Sequence, residues 1–597
     1  MSAGPYQVLL ATDCGSTTTK AILVVRTPAG DYRLAGRGEA PTTVEEPFND
    51  VTIGVHNAIE EMEVITRRRL LRDGRLICPR EGEDGVDVYF STSSAGGGLQ
   101  MGVTGVISGI TVQSAQHAAL GAGAIVVDAL SIDDPREAHE QIDSLRRRRP
   151  DMILMTGGVD GGTRRHVEML AEIIRAARPQ PRFGHSFALP VIYAGNPEAR
   201  ELVNEMLGGI ASLRFVNNVR PSIDREDLGE ARHAIHELFL QHVMQQAPGY
   251  GKLMAMASAD IMATPNAVGL IVRNVAEAQK RNVLAVDIGG ATTDVFSVFS
   301  GQFHRTVSAN YGMSYSLCNV LAECGTENIL RWLPFRFKAS TLRDILRNKM
   351  IRPTTIPETL EELYIEQAVS REALRLSLDH HRALASHLQG TGTTKDLSSL
   401  FAEGKKGLID LLTLDLCIGS GGVISHAPLR AQAALILLDG FALEGVTELS
   451  VDSIFMMPQL GVMAQLAPEA ARQVVENDCL VPLGTSIAPV GEAHAGRQVM
   501  EVEFSGPSGR TESHVLAAGE LRRLPLETGQ KARVVIKPHR AFDAGRGRGK
   551  AFEAEVAGGE AGLLLDARCR PILFSPDPDT NAANRRRDYE ALGLSLD

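Results

Sequence analysis

Residues 11–25, ATDCGSTTTKAILVV, and residues 285–299, AVDIGGATTDVFSVF, can be laid over each other at a spacing of 274 residues. Asp13 and Asp287, Gly15 and Gly289, Thr18 and Thr292, and Thr19 and Thr293 are identical in the two. In each, an apolar run ends in Asp-x-Gly, a turn rich in Ser and Thr follows, and a second apolar run begins. That order predicts a tight β-hairpin, and its recurrence predicts a diverged duplication with one hairpin in each of two lobes. A weaker correspondence joins ILMTGGVDGG, with Gly157 and Gly158, to LCIGSGGVISH, with Gly421 and Gly422.

The chemistry of the hairpins follows from their residue types. Gly15, Gly289 and Gly290 permit close backbone approach, so successive N–H groups can converge on an anion. The hydroxyls of Ser16, Thr17, Thr18, Thr292 and Thr293 can add hydrogen bonds to phosphate oxygens. Asp13 and Asp287 supply hard oxygen for a magnesium ion, usually through water, or a base that orients an attacking water. Two facing hairpins could hold the terminal phosphates of a nucleotide from both sides.

Working outward, short β-branched runs alternate with helical patterns in the first part of the chain, which predicts an α/β organisation. Residues 1–228 are expected as a first lobe with the first hairpin, and 229–326 as a helical connection and the start of the second lobe with the second hairpin. A mostly helical insertion is expected over 327–415, the rest of the second lobe over 416–495, and a β-rich C-terminal domain over 496–597. At 597 residues the chain is long enough for about four domains. Its 61 basic and 72 acidic residues give a net charge of -11, which argues against nucleic acid as a partner. No apolar stretch approaches the ~20 residues that span a bilayer. Seven scattered cysteines without a CxxC pair, and no basic and apolar leader, predict a reduced, cytoplasmic protein. Cys14 is expected as a packing residue. The Arg run at 585–587 and the segment LDHHRALASH at 378–387 are expected as solvated helix.

The order Asp-x-Gly-Ser-Thr-x-x-Lys, then Asp-x-Gly-Gly-x-Thr-x-Asp, then a late strand with Gly-Gly resembles the actin, sugar-kinase and heat-shock-70 ATPase superfamily. The resemblance implies a two-lobed actin-like, ribonuclease H-like ATPase duplication, carrying the helical insertion and the C-terminal domain as additions. It implies ATP and Mg2+ as ligands, with Asp13 and Asp287 near the hydrated magnesium and Thr17, Thr18 and Thr292 at the phosphates. Lys20 would lie close to the phosphates, and Gly421 and Gly422 would let the backbone pack against adenosine. Asp287 is the candidate for orienting the attacking water, with Asp294 second. A P-loop ATPase is excluded, because no GxxxxGK[ST] occurs.

Within the superfamily, STSSAGGGL at 91–99, TGGVDGG at 156–162, YAGN at 193–196 and DIGGATTDV at 287–295 resemble the glutamate mutase L family. RTVSANYGMSYS at 305–316, GSGGVISH at 419–426 and GGEAGLLLDARCRP at 558–571 fit the same family, with departures at Ala309, Asn310 and Cys569. The resemblance implies an ATP-dependent reactivating chaperone whose client is a coenzyme-B12-dependent mutase or aminomutase. The chain has no cobalamin motif of its own, since Leu384 stands where Asp-x-His-x-x-Gly needs glycine. A small-molecule kinase, an electron-injecting activator and an actin-like filament protein remain open on the same core. Phosphorylation of a metabolite, an iron-sulfur colour and pelleting with ATP would distinguish them. The oligomeric state is left open.

Overall fold

In the computed structural model, the described residues are 6–15, 17–44, 47–94, 99–122, 124–181, 188–239, 248–308, 310–314, 316–387, 408–494, 496–507 and 509–594. Ser16 and Ala309 lie outside them. The chain starts as an antiparallel meander of β1 (Val8–Cys14), β2 (Thr18–Arg26) and β3 (Tyr32–Pro41). A helix over Val51–Thr66 and a small hairpin, β4 (Leu71–Arg72) and β5 (Arg75–Leu76), lead to β6 (Val88–Ser93), which pairs parallel with β1. Every residue of β1 is buried because each face of the strand has its own core. Leu9 and Ala11 point into one, and Val8, Leu10 and Cys14 into the other, as the two-residue period of a strand requires.

The chain then leaves this sheet. Five strands, β7 (Leu99–Gly105), β8 (Ala124–Ser131), β9 (Met152–Met155), β10 (Leu189–Tyr193) and β11 (Ala211–Phe215), make a separate parallel sheet in the order β8-β7-β9-β10-β11. Helices cover both faces and build two cores of its own. That order is a doubly wound arrangement, with the reversal between β7 and β9. The first sheet is completed only afterwards, when β12 (Met262–Ala263) pairs parallel with β6. The span 1–228, expected as one lobe, therefore holds strands of two large sheets besides the β4-β5 hairpin, and the strand that closes the first lobe lies beyond residue 228. The strands of both sheets are short apolar runs of like pattern, so local periodicity says nothing about which sheet a strand joins.

The second lobe repeats the first. β13 (Val283–Ile288), β14 (Thr293–Phe299) and β15 (Gln302–Ser308) form the meander, and β16 (Leu416–Ser420) and β17 (Gly445–Asp452) add in parallel. The order β15-β14-β13-β16-β17 matches β3-β2-β1-β6-β12 strand for strand. This is the two-lobed actin-like duplication. Repeat-related residues meet in one shared core: Leu9 and Ala11 lie there with Val283 and Ala285, around helices Thr264–Gln279 and Met457–Met463. These two helices, the hinge helices, lie in the core that both lobes share. The strand equivalent to β16 is β6, not β9, so the correspondence of Gly157 and Gly158 with Gly421 and Gly422 is not part of the repeat. In the second lobe a helix over Arg430–Gly440 makes the crossover that the first lobe makes with the whole inserted sheet.

Between β15 and β16 lie helices Leu317–Cys324, Thr326–Leu330, Ala339–Ile351 and Leu360–His387, packed on the second-lobe sheet. Here His381 is fully buried, its ring nitrogens 2.8 Å from Thr306 Oγ1 and 2.8 Å from Ser297 Oγ. Burial pushes it down to about 3, so it is a neutral core histidine rather than part of a solvated helix. Past β17, β18 (Leu480–Ala488) continues the sheet. β19 (Gln498–Ser505), β20 (Thr511–Ala517), β21 (Leu521–Leu524), β22 (Lys531–Pro538), β23 (Phe552–Ala557) and β24 (Gly562–Asp566) follow. β20-β19-β22-β23 make a separate four-stranded sheet that shares a core with β18 and β24, whereas β24 and β21 extend the second-lobe sheet to eight strands. The C-terminal helix Pro578–Ala591 brings Arg585, expected in a solvated run, to 4% exposure beside Asp588 at 2.8 Å. Among the described residues no helix is long and apolar enough to cross a membrane.

Candidate functional site

Both Asp-x-Gly turns fold alike. Gly15 N–H donates to Thr18 O at 3.1 Å, and Gly289 N–H to Thr292 O at 2.8 Å. These two amides close the turns, so an anion would meet those further round. Across the hairpins Asp13 faces Lys20, and Asp287 faces Asp294. The residues at equivalent positions are thus a cation in the first lobe and an acid in the second. Thr17 and Thr18 are half-buried at the first turn, as are Gly290 and Thr292 at the second. Thr293 differs: it is fully buried and donates to Tyr311 O at 2.6 Å, which uses its hydroxyl inside its own lobe. Cys14 is fully buried, and burial pushes its thiol up to about 12, as expected of a packing residue.

Each turn is braced from behind. Thr42 donates its hydroxyl to Gly15 O at 2.8 Å and its N–H to Thr17 O at 3.0 Å. On the other side Met313 N–H reaches Gly289 O at 2.9 Å, Ser314 N–H reaches Gly290 O at 2.8 Å, and Ser316 Oγ reaches Ala291 O at 2.6 Å. A Cβ on Gly312 would stand 2.4 Å from Gly290 O, so only glycine lets this strap lie on the turn. Gly312, Met313, Ser314 and Ser316 therefore shape the second hairpin. Gly421 closes the same end: its φ of +99° and a Cβ position 2.2 Å from Ile288 O both exclude a side chain. Gly422 opens the helix Gly422–Ser425 with nothing within 4 Å of its Cβ position. Gly421→Ala is expected to cost ~2 kcal/mol or more in a urea melt. Gly422→Ala leaves stability unchanged and so reports ligand contact alone.

The charged groups converge from both lobes. Asp13, 1% exposed, accepts from Thr92 Oγ1 at 2.8 Å and Thr264 Oγ1 at 2.6 Å. Asp287 is buried, and its Oδ1 has no hydrogen-bond partner among the described residues. Burial, then the nearby Asp294, raise its carboxyl well above the usual range, with Asp13 and Asp452 adding to the effect against the pull of Lys20. Asp294 is pushed up to about 6 by burial, although Arg305 Nε lies 3.8 Å from its Oδ1. Asp452, fully buried, accepts from Met456 N–H at 2.8 Å, Met457 N–H at 2.9 Å and Ser420 Oγ at 3.3 Å. Lys20 Nζ sits 3.6 Å from the ring centroid of Phe455, on the other lobe. Burial lowers its pKa.

Four buried carboxylates against the Lys20 ammonium and the Arg305 guanidinium leave the centre short of positive charge. The unpartnered Oδ1 of Asp287 fits a divalent cation, which would favour its ionised form. No three His, Cys, Asp or Glu side chains converge on one point among the described residues, so such a cation would keep much of its water. Sequence reasoning missed Thr92, Thr264, Asp452 and Phe455. The signal available for two of them was a polar residue near a strand end with Pro265 or Pro458 in the first helical turn beyond, where the hinge helices start.

Residues 9–479 match the family described as "MutL protein". "Protein MutL" of Clostridium tetanomorphum is 25% identical over 500 residues, covering 78% of this chain and 98% of that protein. Among solved structures, acetone carboxylase in its nucleotide-free form is similar at 12% identity and a TM-score of 0.34, over 86% of this chain and 81% of that one. A diol dehydratase-reactivating factor in nucleotide-free form is similar at 10% identity and a TM-score of 0.28, over 78% of this chain and 100% of that one. The assignment of the fold rests on the paired strand orders, and the assignment of the family on the match across most of the chain: this protein belongs to the MutL protein family, the glutamate mutase L family that its motifs resemble.

Proposed function

We propose that this chain is an ATP-binding and ATP-hydrolysing accessory protein, a reactivating chaperone for a coenzyme-B12-dependent mutase or aminomutase. The observation that carries the nucleotide reading is the pair of like-folded hairpins whose Asp13, Lys20, Asp287 and Asp294 act on one another between two lobes joined by hinge helices. In this reading Thr17, Thr18 and Thr292 donate hydroxyls to phosphate oxygens, with Ser16 assigned the same role from its position in the sequence. The open amides of the two turns, Gly290 among them, bind the same oxygens. Gly421 and Gly422 admit the adenosine. Asp287, or Asp294 in second place, orients the attacking water. The magnesium ion, held through water by Asp13 and Asp287, would neutralise phosphate charge. Because one phosphate is then gripped by both lobes, ATP and ADP favour different lobe angles, and a client is bound or released by its differential affinity for the two.

The reactivating role rests on family membership. The additions to the two-lobed core are where a client would be held: the inserted parallel sheet and the helices 317–387. The C-terminal segment, built into the second-lobe sheet, would move with that lobe. The test is capture of the cognate mutase by tagged protein with ATP, with ADP and without nucleotide, scored alongside restoration of activity to mutase inactivated in turnover. Nucleotide-dependent capture with restored turnover is the expected result; no capture under any condition would overturn the chaperone role.

A further inference from the structure

Lys20 and Phe455 lie on opposite lobes, 435 residues apart in the chain, and nothing in either local sequence singles out the pair. Phe455 is 9% exposed, in the connection between β17 and the hinge helix Met457–Met463. Its φ of +61° lies in the left-handed region, which a bulky residue adopts only where its surroundings impose it. Asp452 supplies that imposition by holding the N–H groups of Met456 and Met457, the two residues that follow. The turn is thereby pinned with the aromatic face under the Lys20 ammonium at 3.6 Å from the ring centroid.

The choice of partner is informative. Asp13 stands directly across the hairpin from Lys20, and Asp287 is near enough for the two to influence each other. Glu39, its neighbour on β3, is instead paired with Arg37. Lys20 makes no ion pair among the described residues and rests on the ring. A buried lysine on either aspartate would form a tight pair that must be broken before a cation and a phosphate could enter. An aromatic face attracts the ammonium through its quadrupole without neutralising it.

We propose that Phe455 is a positioning residue for Lys20, whose ring holds the ammonium off Asp13 and Asp287, keeping both carboxylates open to a hydrated cation and the ammonium open to a phosphate. The proposal rests on the nucleotide reading for its purpose, while the placement of Lys20 by the ring can be tested without nucleotide. The first arm is a crystal structure of nucleotide-free Phe455→Leu, with Phe455→Met in reserve should the first not fold. Lys20 Nζ is expected within about 4 Å of Asp13 or Asp287, the distance of an ion pair. The second arm is calorimetric ADP binding across a magnesium titration. Phe455→Leu is expected to raise the magnesium half-saturation by about tenfold, and Phe455→Trp, which keeps a cation-binding face, to restore it. Lys20 still clear of both carboxylates in the leucine variant, or a tryptophan variant as impaired as the leucine one, would overturn the proposal. Wild-type protein that binds no ADP would overturn the nucleotide reading, and the crystallographic arm would still decide what the ring does.

Discussion

Asp287→Asn is expected to abolish ATP turnover and, in the same protein, to raise the melting temperature of the nucleotide-free form at neutral pH. In the proposed function Asp287 orients the attacking water, and loss of such a group lowers turnover by about 100-fold or more. The gain in stability comes from charge. Burial, and then Asp294, hold the Asp287 carboxyl well above its usual range. A carboxyl whose pKa is raised by folding binds its proton more tightly folded than unfolded. Stability therefore falls as pH climbs from the unfolded value, ~4, through the folded one, and the penalty is full above that. Asparagine carries no charge and escapes it. The variant should gain a few degrees at pH 8, roughly what 1–2 kcal/mol provides in a large chain, and little at pH 4. Adding magnesium should narrow the gap by stabilising the wild-type carboxylate. Thermal melts at pH 4, 6 and 8, with and without magnesium, beside a phosphate-release assay, provide the check. Turnover at the wild-type rate, or a lower melting temperature at pH 8, would sink the assignment. Asp13→Ala separates the two effects: turnover is lost, and stability falls too, because Thr92 and Thr264 lose the acceptor they share.

The largest loss of stability is expected from Arg568→Met. Arg568 is 1% exposed and lies 2.7 Å from Asp439, 2.8 Å from Asp566 and 3.2 Å from Asp588. Those carboxylates come from the crossover helix of the second lobe, from β24 and from the C-terminal helix. Arg371 of the helical insertion joins them at Asp439, 2.8 Å away, and Arg570 at Asp566, 2.9 Å away. A network closed on itself like this is weak evidence for net stability, but removing one member leaves buried charge uncompensated. The cost is about 3–5 kcal/mol. Burial alone would raise Asp566; Arg568 and then Arg570 outweigh it and hold the carboxyl well below the usual range. In the variant that restraint is weakened. Cleavage by a protease in the C-terminal segment, before the lobes unfold, is the expected readout. Arg587→Ala, two residues past the buried Arg585 and exposed, is the control and should stay within ~0.5 kcal/mol. Equal protease resistance of Arg568→Met and wild type would show that the network does not anchor the C-terminal segment.

These two residues mark how far sequence reading reaches. Asp287 was legible because its surroundings are local: an apolar run, a glycine turn and a second run, repeated 274 residues earlier. Arg568 was not, because its three acids lie up to 129 residues away in the chain and nothing beside it announces burial. His381 and Arg585 were misjudged for the same reason, since a polar residue on a helix reads as solvated unless the element that covers it is known.

The sequence by itself determined the two hairpins and the duplication that sets one hairpin in each lobe. Those features follow from short-range sterics: the two-residue period of a strand and the tight turn that glycine allows. Only the tertiary structure decided that strands β7 to β11 leave the first lobe for a sheet of their own, that Gly157 and Gly158 go with them, and that β21 and β24 complete the second lobe. It alone brought Thr92, Thr264, Asp452 and Phe455 to the hairpins. Sheet membership and cleft partners are chosen by burial between segments far apart in the chain. Apolar strands of like pattern carry no mark of which neighbour they will cover.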